Sequence, residues 1–196
     1  MNSERHPLQP FLPDGARILM LGSFPPKRER WSMEFYYPNF QNDMWRIVGY
    51  LAAGDKAHFL HPDSRRFDRE RIVDFCTERG IALYDTATAV RRLRDNASDK
   101  FLEVVEPTDV GALLRRIPAC RAVVVTGEKA AETVLLSLGS HAERYPKVGE
   151  FVTFAFEGRP MRLWRMPSSS RAYPRPVEWK AEFYRKVFVE NGIIPA

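Results

Sequence analysis

Cysteine, histidine and long apolar runs are all scarce in this sequence, and each scarcity excludes a class of protein. Only two cysteines occur among the 196 residues. Cys76 and Cys120 lie within apolar patterns, which predicts buried thiols rather than a disulfide. No apolar run reaches the roughly 18 residues that a membrane helix requires, so we expect no membrane partner. The four histidines show no zinc-like spacing with the cysteines, so we expect no metal and no cofactor.

The start of the sequence also lacks the basic and then apolar pattern of a secretory signal peptide. A cytoplasmic protein is therefore expected. Apolar residues make up 44% of the chain and aromatic residues 12%, which is typical of a globular protein. We predict a single domain over residues 1–196, and a monomer. The net charge of +5 is compatible with a nucleic-acid partner, although many other soluble proteins are equally basic.

Strand-like apolar runs alternate with helical patterns along the chain. The predicted strands are 17–21, 81–84, 121–126, 151–156 and 161–166, and the predicted helices are 42–52, 69–79, 109–117, 129–138 and 178–191. This alternation predicts an α/β fold, in three layers (α/β/α), with a central, mostly parallel four-stranded sheet. The segment 91–105 is charged and is predicted to be irregular. In the last helix, Trp179, Phe183, Val187 and Phe188 are predicted to face the core.

Ligands in such folds bind where parallel strands end. The loops that follow Gly22, Tyr84, Thr126 and Met166 should therefore meet at one edge of the sheet. Two of these loops, more than a hundred residues apart, have the composition of a ligand site. They are rich in proline, aromatic and small hydroxyl residues, which suits a rigid loop that holds a flat ring and a phosphate.

The first of these segments runs from Gly22 to Trp45. Gly22 and the following Ser23 allow the backbone to approach a ligand closely. The aromatic residues of the segment offer flat faces for stacking on a base, and Tyr37 is among them. Asn39 and Asn42 can each donate and accept a hydrogen bond, so either can hold a water and contact a ring edge. The alternative is that Asn42 only caps the next helix and the tyrosines only pack.

The second segment begins with three consecutive hydroxyl residues, Ser168, Ser169 and Ser170. Hydroxyls and free backbone N–H groups in a turn can bind a phosphate. Arg171 and Tyr173 follow, and either side chain could enter a base stack as a wedge. The alternative is a polar turn before the last helix.

Taken together, these motifs resemble those of the uracil-DNA glycosylase superfamily. Met-Pro-Ser-Ser-Ser-Arg at 166–171 resembles the second motif of the thymine/uracil mismatch glycosylase branch, and Gly-Ser-Phe-Pro-Pro at 22–26 resembles the G-x-x-P-G loop of its first motif. Residues 36–45 resemble the Y-Y-x-H-P-x-N-x-F-W run of the hypoxanthine-DNA glycosylase branch, and Gly-Ile-Ala-Leu-Tyr-Asp at 80–85 resembles its G-I-x-L-W-D segment. The resemblance covers about residues 17–190.

The resemblance implies a monofunctional glycosylase that flips a deaminated base out of DNA and hydrolyses its N-glycosidic bond. The mismatch branch has its catalytic Asn at the place of Phe24, and Pro26 replaces the last Gly of that loop. The catalytic Asn of the hypoxanthine branch matches Asn42, which is therefore the predicted catalytic residue, with Phe24 stacked on the base. Asp85 is a second catalytic candidate, which could orient Asn42, bind water, or only cap the segment 86–90.

We therefore expect a DNA base-excision glycosylase acting on hypoxanthine, uracil or mismatched thymine. Its predicted substrate-binding residues are Gly22, Ser23, Phe24, Tyr37 and Asn39, and its predicted DNA-binding residues are Ser168, Ser169, Ser170, Arg171 and Tyr173. The basic residues assigned to a DNA-binding rim are Lys27, Arg28, Arg30, Arg91, Arg92, Arg94, Arg171 and Arg175. The departures at Phe24 and Pro26 leave an alternative, a catalytically inactive nucleic-acid-binding protein of the same fold. A third possibility is an enzyme acting on a small nucleoside-like substrate.

Overall fold

The computed structural model describes residues 3–93, 101–138 and 146–196. Its strands are β1 (Glu4–Arg5), β2 (Ile18–Gly22), β3 (Ile81–Asp85), β4 (Ala87–Arg92), β5 (Leu102–Pro107), β6 (Ala122–Thr126), β7 (Phe151–Phe156) and β8 (Arg159–Met166). Its α-helices are α1 (Met44–Ala53), α2 (Arg69–Arg79), α3 (Val110–Arg116), α4 (Glu128–Leu138) and α5 (Val177–Glu190). This is the predicted α/β class.

The main sheet has five strands in the order β3-β2-β6-β8-β7. The first four are parallel, and β7 pairs antiparallel with β8 at the edge. The prediction of four strands was therefore short by one, because the hairpin strand β7 extends the parallel sheet instead of leaving it. Every residue of β2, β3 and β6 is buried, as expected for central strands that are covered on both faces.

The helices begin and end at residues that explain their bounds. The side chain of Asp68 accepts a hydrogen bond from the Arg71 N–H at the start of α2. Gly80 ends this helix in the left-handed conformation, at φ 71°. Asp109 caps α3 in the same way as Asp68, by accepting from the Ala112 N–H. The predicted helices are confirmed. Helix α1 starts two residues later than expected, because Asp43 is its N-cap residue and Oδ1 of Asn42 accepts from the N–H of Met44, its first residue.

A second, three-stranded sheet in the order β1-β4-β5 was not predicted. The segment 91–105 is not irregular throughout, since it contains the end of β4 and the start of β5; residues 94–100 lie outside the described ranges. These strands were not recognised because they contain many charged residues. In the structure, charged side chains of neighbouring strands pair on the exposed face of the sheet. Arg91, for example, donates to Glu103 at 2.7 Å, in register on the neighbouring strand.

The core forms between the main sheet and the helices, and it contains both cysteines as free, buried thiols. Within α5, Val187 and Phe188 are fully buried as predicted, and Phe183 packs at the edge of the core. Trp179 does not face the core, because it is 36% exposed at the start of the helix. None of the helices in the described residues is long and apolar enough to span a membrane.

Candidate active site

A cavity of about 520 Å³ lies where β2, β3, β6 and β8 end. Its volume is in the range of about 300–1,000 Å³ that is common for small-molecule sites. Gly22 pairs with Asp85 and Thr126 pairs with Met166 at the last positions of these strands, so their loops open on one edge. All twelve predicted site residues line this one cavity, namely Gly22, Ser23, Phe24, Tyr37, Asn39, Asn42, Asp85, Ser168, Ser169, Ser170, Arg171 and Tyr173.

Gly22 and Asp85 are in close contact at the bottom of the site. A Cβ atom at position 22 would lie 2.5 Å from Oδ1 of Asp85, so only glycine leaves space for this carboxylate. Oδ2 of Asp85 lies 2.8 Å from Nε2 of His6. Among the described residues, none donates a hydrogen bond to Oδ1, which leaves it available to a ligand or water in the cavity.

The partner of Asp85 was not predicted. No hydrogen bond joins Asp85 to Asn42 among the described residues, and the segment after Asp85 is strand β4 rather than a helix in need of a cap. The hydrogen bonds of the described residues therefore give Asp85 neither a direct contact with Asn42 nor a capping bond to the segment 86–90, and all three roles stay predictions. His6 lies in a polar stretch near the start of the sequence, 79 positions from Asp85, and no sequence pattern linked the two residues.

Tyrosine side chains surround the carboxylate. Tyr37 has a positive φ of 50°, a conformation that is costly for a bulky residue and is typical of functional sites. Its hydroxyl lies 3.1 Å from Oγ1 of Thr126. Burial, and then the charge of Asp85, raise the pKa values of Tyr36, Tyr37 and Tyr84. These phenols therefore stay neutral and retain their protons as hydrogen-bond donors at physiological pH.

Asn42 lines the cavity and also caps α1. Its Oδ1 accepts a hydrogen bond from the Met44 N–H at 2.9 Å. The Nδ2 amide group has no partner among the described residues. Both interpretations of Asn42 are therefore compatible with the structure, since the cap uses the oxygen and leaves the amide protons for a ligand. The Asn39 side chain is used similarly, because its Oδ1 accepts from the Gln41 N–H at 2.9 Å.

Phe24 is a wall of the cavity rather than a free ring. It is 7% exposed and packs with Ala87, Val90 and Leu102 of the second sheet. The Arg92 guanidinium lies 5.7 Å from the centre of its ring. The exposed part of the ring faces the cavity at a fixed place, which is the arrangement that a stacking surface requires.

The serine run forms a tight turn whose hydroxyls accept hydrogen bonds from the backbone. Oγ of Ser168 accepts from the Ser170 N–H and Oγ of Ser170 accepts from the Ala172 N–H, both at 3.2 Å. Each hydroxyl therefore keeps its own proton to donate. Ser169 is buried, and its carbonyl accepts from the Asp43 N–H at 2.8 Å.

Ion pairs of Asp43 with Lys180 and Arg171, which were not predicted, connect the serine turn to the segment 22–45. Asp43 accepts from Nζ of Lys180 through Oδ2 and from Nε of Arg171 through Oδ1, each at 3.0 Å. Lys180 is fully buried and also donates to the Ser170 carbonyl at 3.0 Å. The apolar neighbours of Lys180 in α5 gave no sign that it would reach the site. Asp43 and Lys180 thus join α1, the serine turn and α5.

The basic residues assigned to the rim differ in their surroundings. Arg28, Arg91 and Arg92 form ion pairs with Glu34, Glu103 and Glu4 respectively. Arg30 lines the cavity and has no acidic partner among the described residues. The Arg175 guanidinium lies 5.1 Å from the ring centre of Trp179, and Arg94 lies outside the described ranges.

Exposed aromatic rings extend the site outward beyond the serine turn. Tyr173 and Trp179 are each 36% exposed, with ring centres 6.2 Å apart. Trp179 is supported from below by Phe183, at 4.6 Å. We call Tyr173, Arg175 and Trp179 the aromatic shelf. It was only partly predicted, because Trp179 fits the helical pattern of core residues.

No group of three or more potential metal ligands occurs among residues 3–93, 101–138 and 146–196. The fold and the cavity define a class of α/β protein whose candidate ligand site lies at the carboxyl edge of a mostly parallel sheet, here with aromatic walls and a hydroxyl-rich turn.

Comparison with known proteins narrows this class. No protein-family model matches the chain. A curated hypoxanthine DNA glycosylase from Methanosarcina acetivorans is 28% identical over 121 residues, which are 62% of this chain and 70% of that protein. A solution NMR structure from the same organism, provisionally described as a uracil DNA glycosylase, aligns with a TM-score of 0.62. It covers 95% of this chain and 99% of its own, at 24% identity. The structural likeness shows that the chain has the uracil-DNA glycosylase fold, and the sequence similarity to the curated glycosylase supports its placement in that superfamily.

Proposed function

We propose that the protein is a DNA glycosylase that removes a deaminated base, such as hypoxanthine, uracil or mismatched thymine, after the base is flipped out of DNA. The observation that carries the proposal is the meeting of Asn42, Asp85 and Phe24 in one cavity with the serine turn on its rim. The name of the curated relative supports the same class of reaction.

On the side of the base, Asn42 supplies the hydrogen-bond donor. Its free amide protons can bind a carbonyl oxygen of the flipped base, on which negative charge develops as the glycosidic bond breaks. Because the Met44 N–H fixes Oδ1, the donor is oriented before the substrate arrives. The ring of Phe24 supplies a rigid stacking surface for the same base.

On the side of the sugar, Asp85 supplies the acceptor for a water molecule. Cleavage passes through a cationic, oxocarbenium-like sugar, which a nearby carboxylate stabilises. Asp85 lines the cavity and no described residue donates to its Oδ1, so this oxygen can accept a proton from the water as it attacks. Glycine at position 22 is what allows the carboxylate to reach this place.

DNA binding is assigned to the serine turn and the aromatic shelf. The hydroxyl protons of Ser168 and Ser170 can be donated to a phosphate, and Arg171 is half exposed beside them. The shelf lies next in the chain and presents two aromatic faces with a cation, the combination that stacks on nucleobases. Arg171 or Tyr173 can fill the space that the flipped base leaves.

A monofunctional mechanism is part of the proposal. Among the described residues, no lysine lines the cavity, and Nζ of Lys180 is bound to Asp43 and to a carbonyl. Hydrolysis by water therefore suits this site better than attack by a lysine amine. Borohydride reduction during the reaction should trap no covalent protein–DNA adduct.

The deciding experiment incubates the purified, folded protein with duplexes that contain uracil, hypoxanthine, xanthine or mismatched thymine. Abasic sites are then detected as strand cleavage after alkali treatment. Product from at least one duplex is expected, and its identity names the substrate. Salt-dependent DNA binding without product from any duplex would instead establish the alternative of an inactive DNA-binding protein, which the departures at Phe24 and Pro26 favour. Failure to bind DNA even at low salt would favour a small nucleoside-like substrate.

A further inference from the structure

We propose that His6 is a positioning residue of this active site, which holds Asp85 so that Oδ1 faces the cavity as acceptor for the attacking water. The inference rests on the proposed glycosylase function and deepens it. It adds the segment 4–11, which lies outside the motifs described above, to the active site.

His6 is enclosed beside Asp85 and is not among the residues that line the cavity. Its side chain is only 2% exposed, and its ring contacts Tyr84 at 4.7 Å and Phe24 at 5.2 Å between ring centres. A polar ring in such a place must have its nitrogens satisfied. Nε2 lies 2.8 Å from Oδ2 of Asp85, and since a carboxylate can only accept, Nε2 is the donor.

The backbone around His6 is fixed on both sides. The His6 N–H donates to the Thr88 carbonyl at 2.8 Å, immediately after the pairing of β1 with β4. Further along, Phe11 and Leu83 exchange two backbone hydrogen bonds, at 2.8 and 3.0 Å. The hydroxyl of Tyr36 donates to the Gln9 carbonyl at 2.6 Å. His6 is thus held in place by the second sheet and by β3, which itself ends at Asp85.

The other ring nitrogen of His6, Nδ1, lies beside both the backbone N–H and the backbone carbonyl of Leu8. Nδ1 lies 3.1 Å from the Leu8 nitrogen and 3.0 Å from the Leu8 oxygen. An unprotonated Nδ1 can accept from the N–H, and a protonated Nδ1 can donate to the carbonyl. In both arrangements Nε2 can donate to Asp85.

The reaction step that His6 supports is the attack of water on the sugar carbon, and its atoms and electrons balance with water as the only reactant besides DNA. The water oxygen forms a bond to the sugar carbon while one of its protons passes to Oδ1 of Asp85. The bond from that carbon to the base nitrogen breaks, and its electron pair leaves with the base. The proton then passes from Asp85 to the departing base or to solvent. His6 donates to Oδ2 throughout and exchanges no proton itself.

Two substitutions of His6 distinguish the effect of its hydrogen bond to Asp85 from the effect of its packing. In His6→Gln the amide nitrogen can occupy the place of Nε2 and donate to Asp85. In His6→Asn the shorter side chain places its amide near the Nδ1 position, where it cannot reach the carboxylate. His61→Gln is the matched control, because His61 does not line the cavity. Each variant is compared with wild type in single-turnover cleavage at saturating DNA, in DNA affinity and in thermal unfolding.

We expect His6→Asn to slow cleavage about 10- to 100-fold, with DNA affinity within about twofold, because a displaced reacting group costs up to about 10²-fold. His6→Gln should recover most of the rate, and added imidazole should partly restore a His6→Ala variant.

Equal rates for His6→Asn and wild type would overturn the inference, as would equal slowing of His6→Gln and His6→Asn in folded proteins. If His6→Asn does not fold, the rate of His6→Gln and the imidazole rescue decide. A wild-type protein inactive on every damaged base would overturn the proposed function and this inference together, whereas active wild type with an equally fast His6→Asn overturns this inference alone.

Discussion

At the scale of single residues, the two ends of the Asn42 amide have different proposed roles. The oxygen stabilises helix α1, and the nitrogen is the proposed donor to the substrate. The oxygen accepts from the Met44 N–H at the start of α1, while the nitrogen of this cavity-lining residue has no partner among the described residues. An alanine scan would confuse these roles, because it removes both ends at once. A comparison of two substitutions can separate them.

Asn42→Asp retains an oxygen for the helix cap and removes the amide donor. We expect it to unfold within about 0.5 kcal/mol of wild type, since Asp and Asn cap helices equally well. Cleavage should nevertheless fall about 10²- to 10³-fold, the usual effect of losing one donor to a developing oxyanion. Single-turnover cleavage and urea unfolding measure the two effects.

Asn42→Ala serves as the control for the cap. It should lose activity to a similar extent and should also lose about 1 kcal/mol of folding free energy. Full activity in Asn42→Asp would show that the residue is only a helix cap, and Asn42 would then leave the list of catalytic residues.

At the scale of elements, the buried ion pair of Asp43 with Lys180 determines how α1, the serine turn and α5 fit together. Lys180 is fully buried, and Asp43 is 5% exposed. A buried pair of this kind is costly to form, so it contributes less to net stability than its short distances suggest. Removal of Asp43 would leave the buried Lys180 with only the Ser170 carbonyl, whereas removal of Lys180 would leave Asp43 with Arg171 as its remaining cationic partner.

Lys180→Met tests this connection, because methionine has a similar length and no charge. We expect a loss below the roughly 3–5 kcal/mol that an uncompensated buried charge costs, because Asp43 keeps its ion pair with Arg171. The double variant Asp43→Asn with Lys180→Met should lose less than the sum of the two single losses. Urea unfolding with an unchanged m-value measures these differences. Additive losses would show that the two side chains are not energetically coupled.

The aromatic shelf provides the second prediction at this scale. Trp179 is exposed beside Tyr173 and Arg175 rather than buried in the core. Stacking on one base is worth about 1–3 kcal/mol, so Trp179→Ala should weaken DNA binding about 5- to 150-fold. Fluorescence anisotropy with a labelled oligonucleotide measures the affinity.

Two controls accompany this variant. Trp179→Phe retains a stacking ring and should bind DNA within a few-fold of wild type, that is, about 1 kcal/mol. Leu136→Ala alters a large apolar side chain on α4 that is 84% exposed and lies outside the cavity lining, and it should leave the DNA affinity unchanged. An effect of Leu136→Ala as large as that of Trp179→Ala would remove the shelf from the DNA-binding surface.

At the scale of the whole molecule, the sequence predicts well those features that depend on neighbouring residues and on the order of strands and helices. Periodicity locates the five α-helices of the described residues, and caps such as Asp68 and Gly80 of α2 account for their observed bounds. The rule that parallel strands end at one edge brings Gly22 and Asp85 together with the serine turn. These predictions need only the pattern of neighbouring residues and the topology of the fold.

What the sequence does not predict depends on contacts between distant parts of the chain. The hydrogen bond of His6 to Asp85 and the ion pair of Lys180 with Asp43 span 79 and 137 positions. Neither residue has neighbours that reveal such a partner. The second sheet was missed for a related reason, because cross-strand ion pairs such as Arg91 with Glu103 give its strands the composition of a polar loop.

The net charge of +5 is also a property of the whole molecule, but the structure indicates that its distribution matters more than its sum. Arg30 lines the cavity with no acidic partner among the described residues, whereas Arg91 is paired with Glu103. Arg30→Gln and Arg91→Gln lower the net charge equally. If DNA is bound over the cavity, only Arg30 is placed to neutralise a phosphate and release a counterion.

We therefore expect the two substitutions to differ in the salt dependence of DNA binding. Each phosphate contact contributes about −0.9 to the slope of log K against log salt for duplex DNA. Arg30→Gln should reduce the magnitude of this slope by about 0.9, and Arg91→Gln should leave it unchanged within error. Affinities measured at several salt concentrations on one duplex give both slopes. Equal reductions would show that DNA responds to the overall charge of the protein, and the cavity edge would lose its assignment as the binding face.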